Sequence, residues 1–310
     1  MTMPYRVSSQ HVTYVFGPQI RPVLEVPPQA VIVCETLDAA SGRIRTQEDA
    51  LTLSYPPEQG NPATGPIAVR GAQPGQTLAV RIVAIDLGPC GCGRVKRGGI
   101  IFDELHPPAA VLTPVHDQTV AFKGLTFPAR PMLGVIGTAP AGEAVPTFYP
   151  GPHGGNLDIN EIRPGATVYL PVSVPGALLA LGDVHASMGD GELNGGGLDI
   201  AAEVTIEVDV RPGLPCRRPL IETDDAWSVC ANGPTLPEAL RMATREMTTL
   251  LATRLDLSRE EAFILIGAAG DARIGQAAQL PGLDATAYLQ ISKTILPSVF
   301  DGTAAPGRQR

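Results

Sequence analysis

The sequence predicts an α+β fold that is mainly β: duplicated β-sandwich or barrel units with a small C-terminal helical portion. Three observations carry this expectation. Gly (34) and Pro (31) are spread through all 310 residues, which favours many short strands and tight turns. Apolar residues alternate with polar ones in several segments, the period of a half-buried strand. A weak internal repeat, x-Pro-Gly-x-Thr followed by alternating apolar residues, stands at Gln73 and again at Arg163.

The elements follow in chain order. Ala30–Thr36 reads AVIVCET, a short apolar strand in which Cys34 is a small core residue. The Pro-Gly pairs at 74–75 and 164–165 suit type II turns, because Pro presets φ at the second position and Gly supplies positive φ at the third. Val26-Pro-Pro-Gln-Ala is a looser third copy. The strand over 78–87 sets Leu78, Val80 and Ile82 against Ala79, Arg81 and Val83. Segments 167–174 and 177–184 read as a hairpin. Ala202–Arg211 is the cleanest strand, with Ala202, Val204, Ile206, Val208 and Val210 on one face and charged or hydroxyl residues on the other. The pattern changes near residue 235. Thr235 with Glu238, and Ser258 with Glu261, are capping boxes opening two helices, the second ending at Gly270. These elements divide the chain into a β-rich body over 1–215 carrying the active-site loops and an α+β portion over 216–310 packed on it. Residues 303–310 read as a frayed tail.

Composition narrows the function. A net charge of −8 argues against nucleic acid, whose phosphates need clustered Lys and Arg. The apolar stretches are broken by Pro and Gly well short of a membrane span, and the start lacks the basic and apolar regions of a signal peptide. A cytoplasmic location is therefore expected. The five Cys (34, 90, 92, 216, 230) are an odd number without an export signal, so a disulfide framework is not expected. Cys90-Gly-Cys92 lacks a second pair at metal-ligand spacing.

The chemistry concentrates in two Gly-rich segments. In Pro150-Gly-Pro-His153-Gly-Gly-Asn156-Leu-Asp158 a His lies between Gly pairs, where the backbone can approach a ligand closely. In Gly182-Asp183-Val-His185-Ala-Ser-Met-Gly-Asp190-Gly-Glu192 an imidazole sits with several carboxylates at the exit of an apolar run. Asp183 and His185, two apart, share a face if the segment is extended, and Asp190 and Glu192 repeat that spacing. One imidazole among carboxylates suits a divalent cation, and a spare carboxylate can act as base. A flexible loop of turn-forming residues is the plainer reading of the same segment. Other hydrolase chemistries fit less well. No Gly-x-Ser-x-Gly elbow is present, and Lys96, Lys123 and Lys293 stand near no Gly/Ser-rich nucleophile. His11, His106 and His116 read as surface or core histidines.

Six blocks in order resemble the acetamidase/formamidase family: Glu35-Thr-Leu-Asp38-Ala, residues 61–75, 131–140, 151–158, 182–192 and Gly270-Asp-Ala-Arg-Ile-Gly-Gln276. The resemblance implies a β-rich, oligomeric, cytoplasmic amidohydrolase that cleaves short aliphatic amides to carboxylate and ammonia with a bound divalent metal. Zinc is the first choice and calcium the second. The expected partner is thus a small-molecule amide, with other copies of the chain in a homo-oligomer. The ligand pool is His153, Asp158, Asp183, His185 and Asp38. Glu192 is the general base, with Asp190 its competitor, and Asn156, Gly154 and Met188 face substrate. Met188 stands where the family usually has Gln, Asp199 where Glu is common, and Asn194-Gly-Gly-Gly197 is a looser run than usual. Two other readings use the same scaffold: hydrolysis of a larger amide or urea-like compound, and a metal- or carboxylate-binding protein without turnover.

Overall fold

The computed structural model describes residues 3–213, 217–278, 280 and 282–300. Cys216 and the tail 303–310 lie outside the described residues. Two sheets face one another. The larger has nine strands in the order Tyr5–Val7, Ala30–Thr36, Ala202–Arg211, Thr77–Leu87, Thr167–Pro171, Leu220–Glu222, Ala226–Gly233, Ala285–Ser292 and Gly270–Ile274. The smaller runs Gly154–Asn156, Met132–Gly137, Leu179–His185, Ala63–Val69 and Val12–Thr13, with Leu24–Val26 alongside Ala63–Val69.

Period-2 alternation decides what each face of the large sheet covers. Leu78, Val80, Ile82, Val168, Leu170, Val204, Ile206 and Val208 point inward and meet Ile67, Leu133, Ile136, Leu179, Leu181 and Val184 of the small sheet. Their sequence neighbours Ala79 and Tyr169 point the other way, into a second core beneath the helices with Trp227, Met247, Leu250 and Leu251. The strand Ala202–Arg211 has the expected bounds and the expected burial alternation.

Both Pro-Gly turns form. Gln76 N–H donates to Gln73 O at 3.1 Å and Ala166 N–H to Arg163 O at 3.0 Å, with φ of +89° at Gly75 and +94° at Gly165. The strands they feed are antiparallel neighbours, with Ala79 opposite Tyr169. The repeated units thus meet inside one sheet. Thr167–Pro171 also pairs with Leu220–Glu222, so hydrogen bonding continues through the large sheet on both sides of residue 215.

The expected hairpin over 167–184 does not form. Thr167–Pro171 belongs to the large sheet and Leu179–His185 to the small one. The chain crosses between them through Gly176, Ala177 and Leu178, at φ of +79°, +61° and +56°. A hairpin and a crossover have the same apolar signature when both strands are buried, so periodicity could not separate them.

The α-helices among the described residues are Gln47–Thr52, Leu236–Leu255 and Arg259–Ala269. Ser258 and Glu261 make the reciprocal capping box: Glu261 N–H donates to Ser258 Oγ and Ser258 N–H to Glu261 Oε2. Thr235 caps the long helix by accepting from Glu238 N–H, but its hydroxyl, rather than its backbone N–H, engages the Glu238 carboxylate. The short helix Gln47–Thr52 was not expected; Thr46 and Asp49 box its start. No helix among the described residues is long and apolar enough to cross a membrane.

Candidate active site

At one end of the small sheet the strand Leu179–His185 carries Asp183 and His185 to the floor of a cavity of about 720 Å³. Asp183 adopts φ +53°, which breaks regular pairing with Met132–Gly137 and turns its carboxylate toward Asp158. The facing residue must be Gly134: a Cβ there would lie 2.5 Å from Asp158 Oδ1 and 2.9 Å from Asp183 Oδ2. Asn61, Asp158 and Glu192 also have left-handed φ, at +50°, +48° and +49°. Left-handed backbone at non-glycine residues costs on the order of 1–3 kcal/mol each and collects where function demands it.

Asp158, Asp183 and His185 are each buried, and one ligand atom from each lies within 4.8 Å of the others, so they could hold a metal ion. The surrounding amides leave them suited to it. Asn61 Nδ2 donates to Asp183 Oδ2 at 2.7 Å and to Asn156 Oδ1 at 2.9 Å. Asn156 Nδ2 donates to Asp158 Oδ2 at 2.7 Å. Gln276 Nε2 donates to Asp158 Oδ2 at 3.0 Å and to Glu192 Oε2 at 2.8 Å. One oxygen of each Asp is thereby held, while buried Asp158 Oδ1 and Asp183 Oδ1 accept no hydrogen bond. A buried carboxylate oxygen without a donor is costly unless a cation faces it.

Charge balance points the same way. Asp158, Asp183, Glu192 and Asp199 are all buried, and the cations facing them are Lys96 and, when protonated, His185. His185 Nε2 stands 3.4 Å from Asp199 Oδ1, 3.6 Å from Asp183 Oδ1 and 4.0 Å from Glu192 Oε1. Burial alone would push the imidazole pKa down; Asp183 and Asp199 outweigh it and hold it well above the usual range. Burial, with Glu192 and Asp183, drives Asp158 well above an ordinary carboxyl. Glu192 is also raised by burial, against the pull of His185 and Lys96. Asp199 runs opposite: Lys96 Nζ, 2.8 Å away, and His185 overcome its burial and hold it below the usual carboxylate range. A divalent cation would relieve the excess of negative charge.

The expected site residues therefore divide. Asp183, His185 and Glu192 line the floor, Asp158 meets Asp183 and His185 beneath it, and Asn156 lines the cavity while orienting Asp158. Asp190 does not join them. Its carboxylate accepts from Arg273 at 2.6 and 2.9 Å and from Asn160 at 2.8 Å at the surface. The segment is not extended there: Glu192 N–H closes a turn onto Gly189 O, so residues two apart diverge. Asp38 caps its own loop by accepting from Ala40 and Gly42 N–H, and burial raises its pKa. His153 is buried edge-on to Phe16 and hemmed by Gly151; burial lowers its pKa to about 4. Asp38 and His153 are outside the group of three residues that could hold a metal ion. Gly154 and Met188 are buried, and neither is among the described residues lining the cavity. Gly154 lets the backbone meet Ile136 O, where a Cβ would stand at 2.2 Å.

Asn61, Lys96, Asp199 and Gln276 complete the floor from distant segments. The run Gly195–Gly197 is not loose. A Cβ on Gly196 would lie 2.5 Å from Lys96 Nζ, and one on Gly197 2.5 Å from His185 Cγ. These glycines are the surface against which the two cationic side chains pack.

Fold and floor together define a mainly β protein, its two largest sheets packed face to face, with a buried acidic centre suited to a divalent cation. The profile of the Acetamidase/Formamidase family matches residues 2–146 and 141–295, and the chain belongs to that family. The structure of an acetamidase from Bacillus halodurans superposes with a TM-score of 0.90 at 39% identity, covering 94% of this chain and 98% of that one. An acetamidase from Yersinia enterocolitica gives 0.88 at 27% identity, covering 95% and 93%. The acetamidase of Mycolicibacterium smegmatis is 27% identical over 223 residues, 48% of this chain; the chain spans only 53% of that curated relative's length.

Proposed function

We propose that the protein is a metal-dependent amidohydrolase that converts a linear primary amide and water to a carboxylate and ammonia. One observation carries this reading: a ligand atom each of buried Asp158, Asp183 and His185 lies within 4.8 Å of the others beside Glu192, where Asp158 Oδ1 and Asp183 Oδ1 accept no hydrogen bond. Asp158, Asp183 and His185 would hold the ion, zinc before calcium because an imidazole is among the donors. When bound, it would polarise the amide carbonyl and acidify water.

The protein's own groups do the rest. Glu192, its pKa raised by burial, takes a proton from the attacking water. The water oxygen bonds to the carbonyl carbon, the carbon–nitrogen bond breaks, and the electron pair leaves with nitrogen. Glu192 returns the proton to that nitrogen, so ammonia departs. Lys96, held charged chiefly by Asp199 despite its burial, offsets the negative charge of the floor. Asn61, Asn156 and Gln276 fix the carboxylates so that the reacting geometry pre-exists. The test is ammonia release from formamide, acetamide and propionamide by metal-replete and chelated protein. Release that chelation abolishes is expected; none from the replete protein across a wide amide panel would overturn the proposal.

A further inference from the structure

The polar floor occupies only the bottom of the cavity. Its walls come from four other parts of the chain: Leu51 and Leu53 at the short helix, Phe102 and Pro108 from the segment after Cys90–Arg94, Phe148, and Leu283. These side chains are apolar and form most of the wall, which Ser54, Tyr55, Arg94 and Arg97 interrupt. Cavities of roughly 300–1,000 Å³ hold ligands of drug size, whereas formamide and acetamide have only about three or four heavy atoms. At about 720 Å³ this cavity would leave most of its apolar wall uncovered by such a substrate.

The floor adds a second observation. Gln276 is 5% exposed, and its Nε2 is committed to Asp158 and Glu192. That fixes the orientation of its amide and leaves Oε1 as an acceptor, which is buried and has no partner. Gln276 belongs to the cavity lining, beside Glu192. An acceptor in that position is matched by a substrate N–H.

We infer that the preferred substrate is a primary amide with an extended apolar acyl group, its NH₂ received by Gln276 Oε1 and its chain lying against the apolar wall. This rests on the amidase reading above and specifies its substrate class. The reaction is unchanged: water supplies OH to the acyl carbon and H to the leaving nitrogen.

The experiment compares kcat/KM for acetamide, butyramide, hexanamide and octanamide with metal-replete protein. Each buried methylene should raise kcat/KM about threefold to fourfold until the wall is covered. Ala109→Trp, which places a ring on the cavity wall, should lower the ratio of hexanamide to acetamide about tenfold. The Gln276 contact is read by competition, following acetate formed from acetamide. The methyl ketone 2-heptanone matches hexanamide in shape but offers no N–H, and should compete at least tenfold more weakly. Acetamide turnover with a flat or falling chain-length profile would overturn the inference and leave the amidase standing. Equal competition by the ketone would remove Gln276 from substrate recognition. No ammonia from any amide would overturn both.

Discussion

Replacing Gly197 by Ala adds one methyl group, yet it should cripple the centre. The new Cβ would stand 2.5 Å from His185 Cγ, 2.6 Å from Nδ1 and 3.0 Å from Cβ. Carbon atoms in favourable contact sit about 3.5–4.0 Å apart, so ring or loop must yield by roughly 1 Å. His185 is 1% exposed and cannot swing into solvent, and the clash reaches its Cβ, so the whole side chain shifts. A misplacement of that size costs on the order of 10²-fold in rate. Gly196→Ala is the control. Its Cβ meets the Nζ, Cε and Cδ end of Lys96, a flexible side chain that is 26% exposed and can rebuild its path to Asp199, so the loss should stay below about tenfold. The assay is kcat/KM for ammonia release with metal content measured after dialysis, and a thermal melt to show that both variants fold. A Gly197→Ala protein with full metal and a rate within about threefold of wild type would refute the reasoning. So would a Gly196→Ala protein that is the worse of the two.

The other expectations are read more directly. Glu192→Gln should keep its metal and lose about 10²–10⁴-fold in kcat, because the amide cannot accept a proton; His185→Ala should lose metal and turnover together, as elemental analysis would show. Asp190→Asn should change kcat/KM by less than about threefold, since Asp190 is tied to Arg273 at the surface. His153 is held neutral by burial, its pKa lowered to about 4 from the ordinary 6.5. The unfolded chain therefore binds the proton first as pH falls through 6.5, and stability drops until the folded pKa is reached. Between pH 7 and pH 5 this contributes a loss of about 2 kcal/mol, which His153→Leu should remove; urea melts of both proteins at the two pH values would show it, and parallel slopes would refute it.

Local patterning in the sequence matches what the fold later uses. Ala202–Arg211 alternates because one of its faces is buried against the opposite sheet, and Ser258 with Glu261 is a two-residue device needing no tertiary contact. Asp183 and His185 were legible because a carboxylate and an imidazole two apart at a strand end is itself the geometry. Asp190 was misleading for the complementary reason: Gly189 and Gly191 permit a turn that strand spacing ignores. Gln276, Asn61 and Lys96 carry no chemical signal of their own, although Asn61 and Gln276 fall in blocks that resemble the family. Each enters the site only because sheet order brings segments up to 215 residues apart to one floor, as between Asn61 and Gln276. Gly195–Gly197 looked like slack because a missing side chain gives no hint of what lies against it.

The left-handed backbone at Asp158, Asp183 and Glu192 sets folding and chemistry at odds. Glycine at any of these positions would relax the dihedral strain and remove a carboxylate from a crowded negative floor, while adding unfolded-state entropy and stranding donors on Asn61, Asn156 or Gln276. Strain and charge at these three positions thus pull against activity, and a bound cation would offset the charge. A library sorted on heat resistance in chelator would enrich glycine at 158, 183 and 192 wherever those two terms prevail, at the expense of turnover. Among natural descendants of such a chain, an unusually high melting point would mark a copy released from the need to turn over substrate.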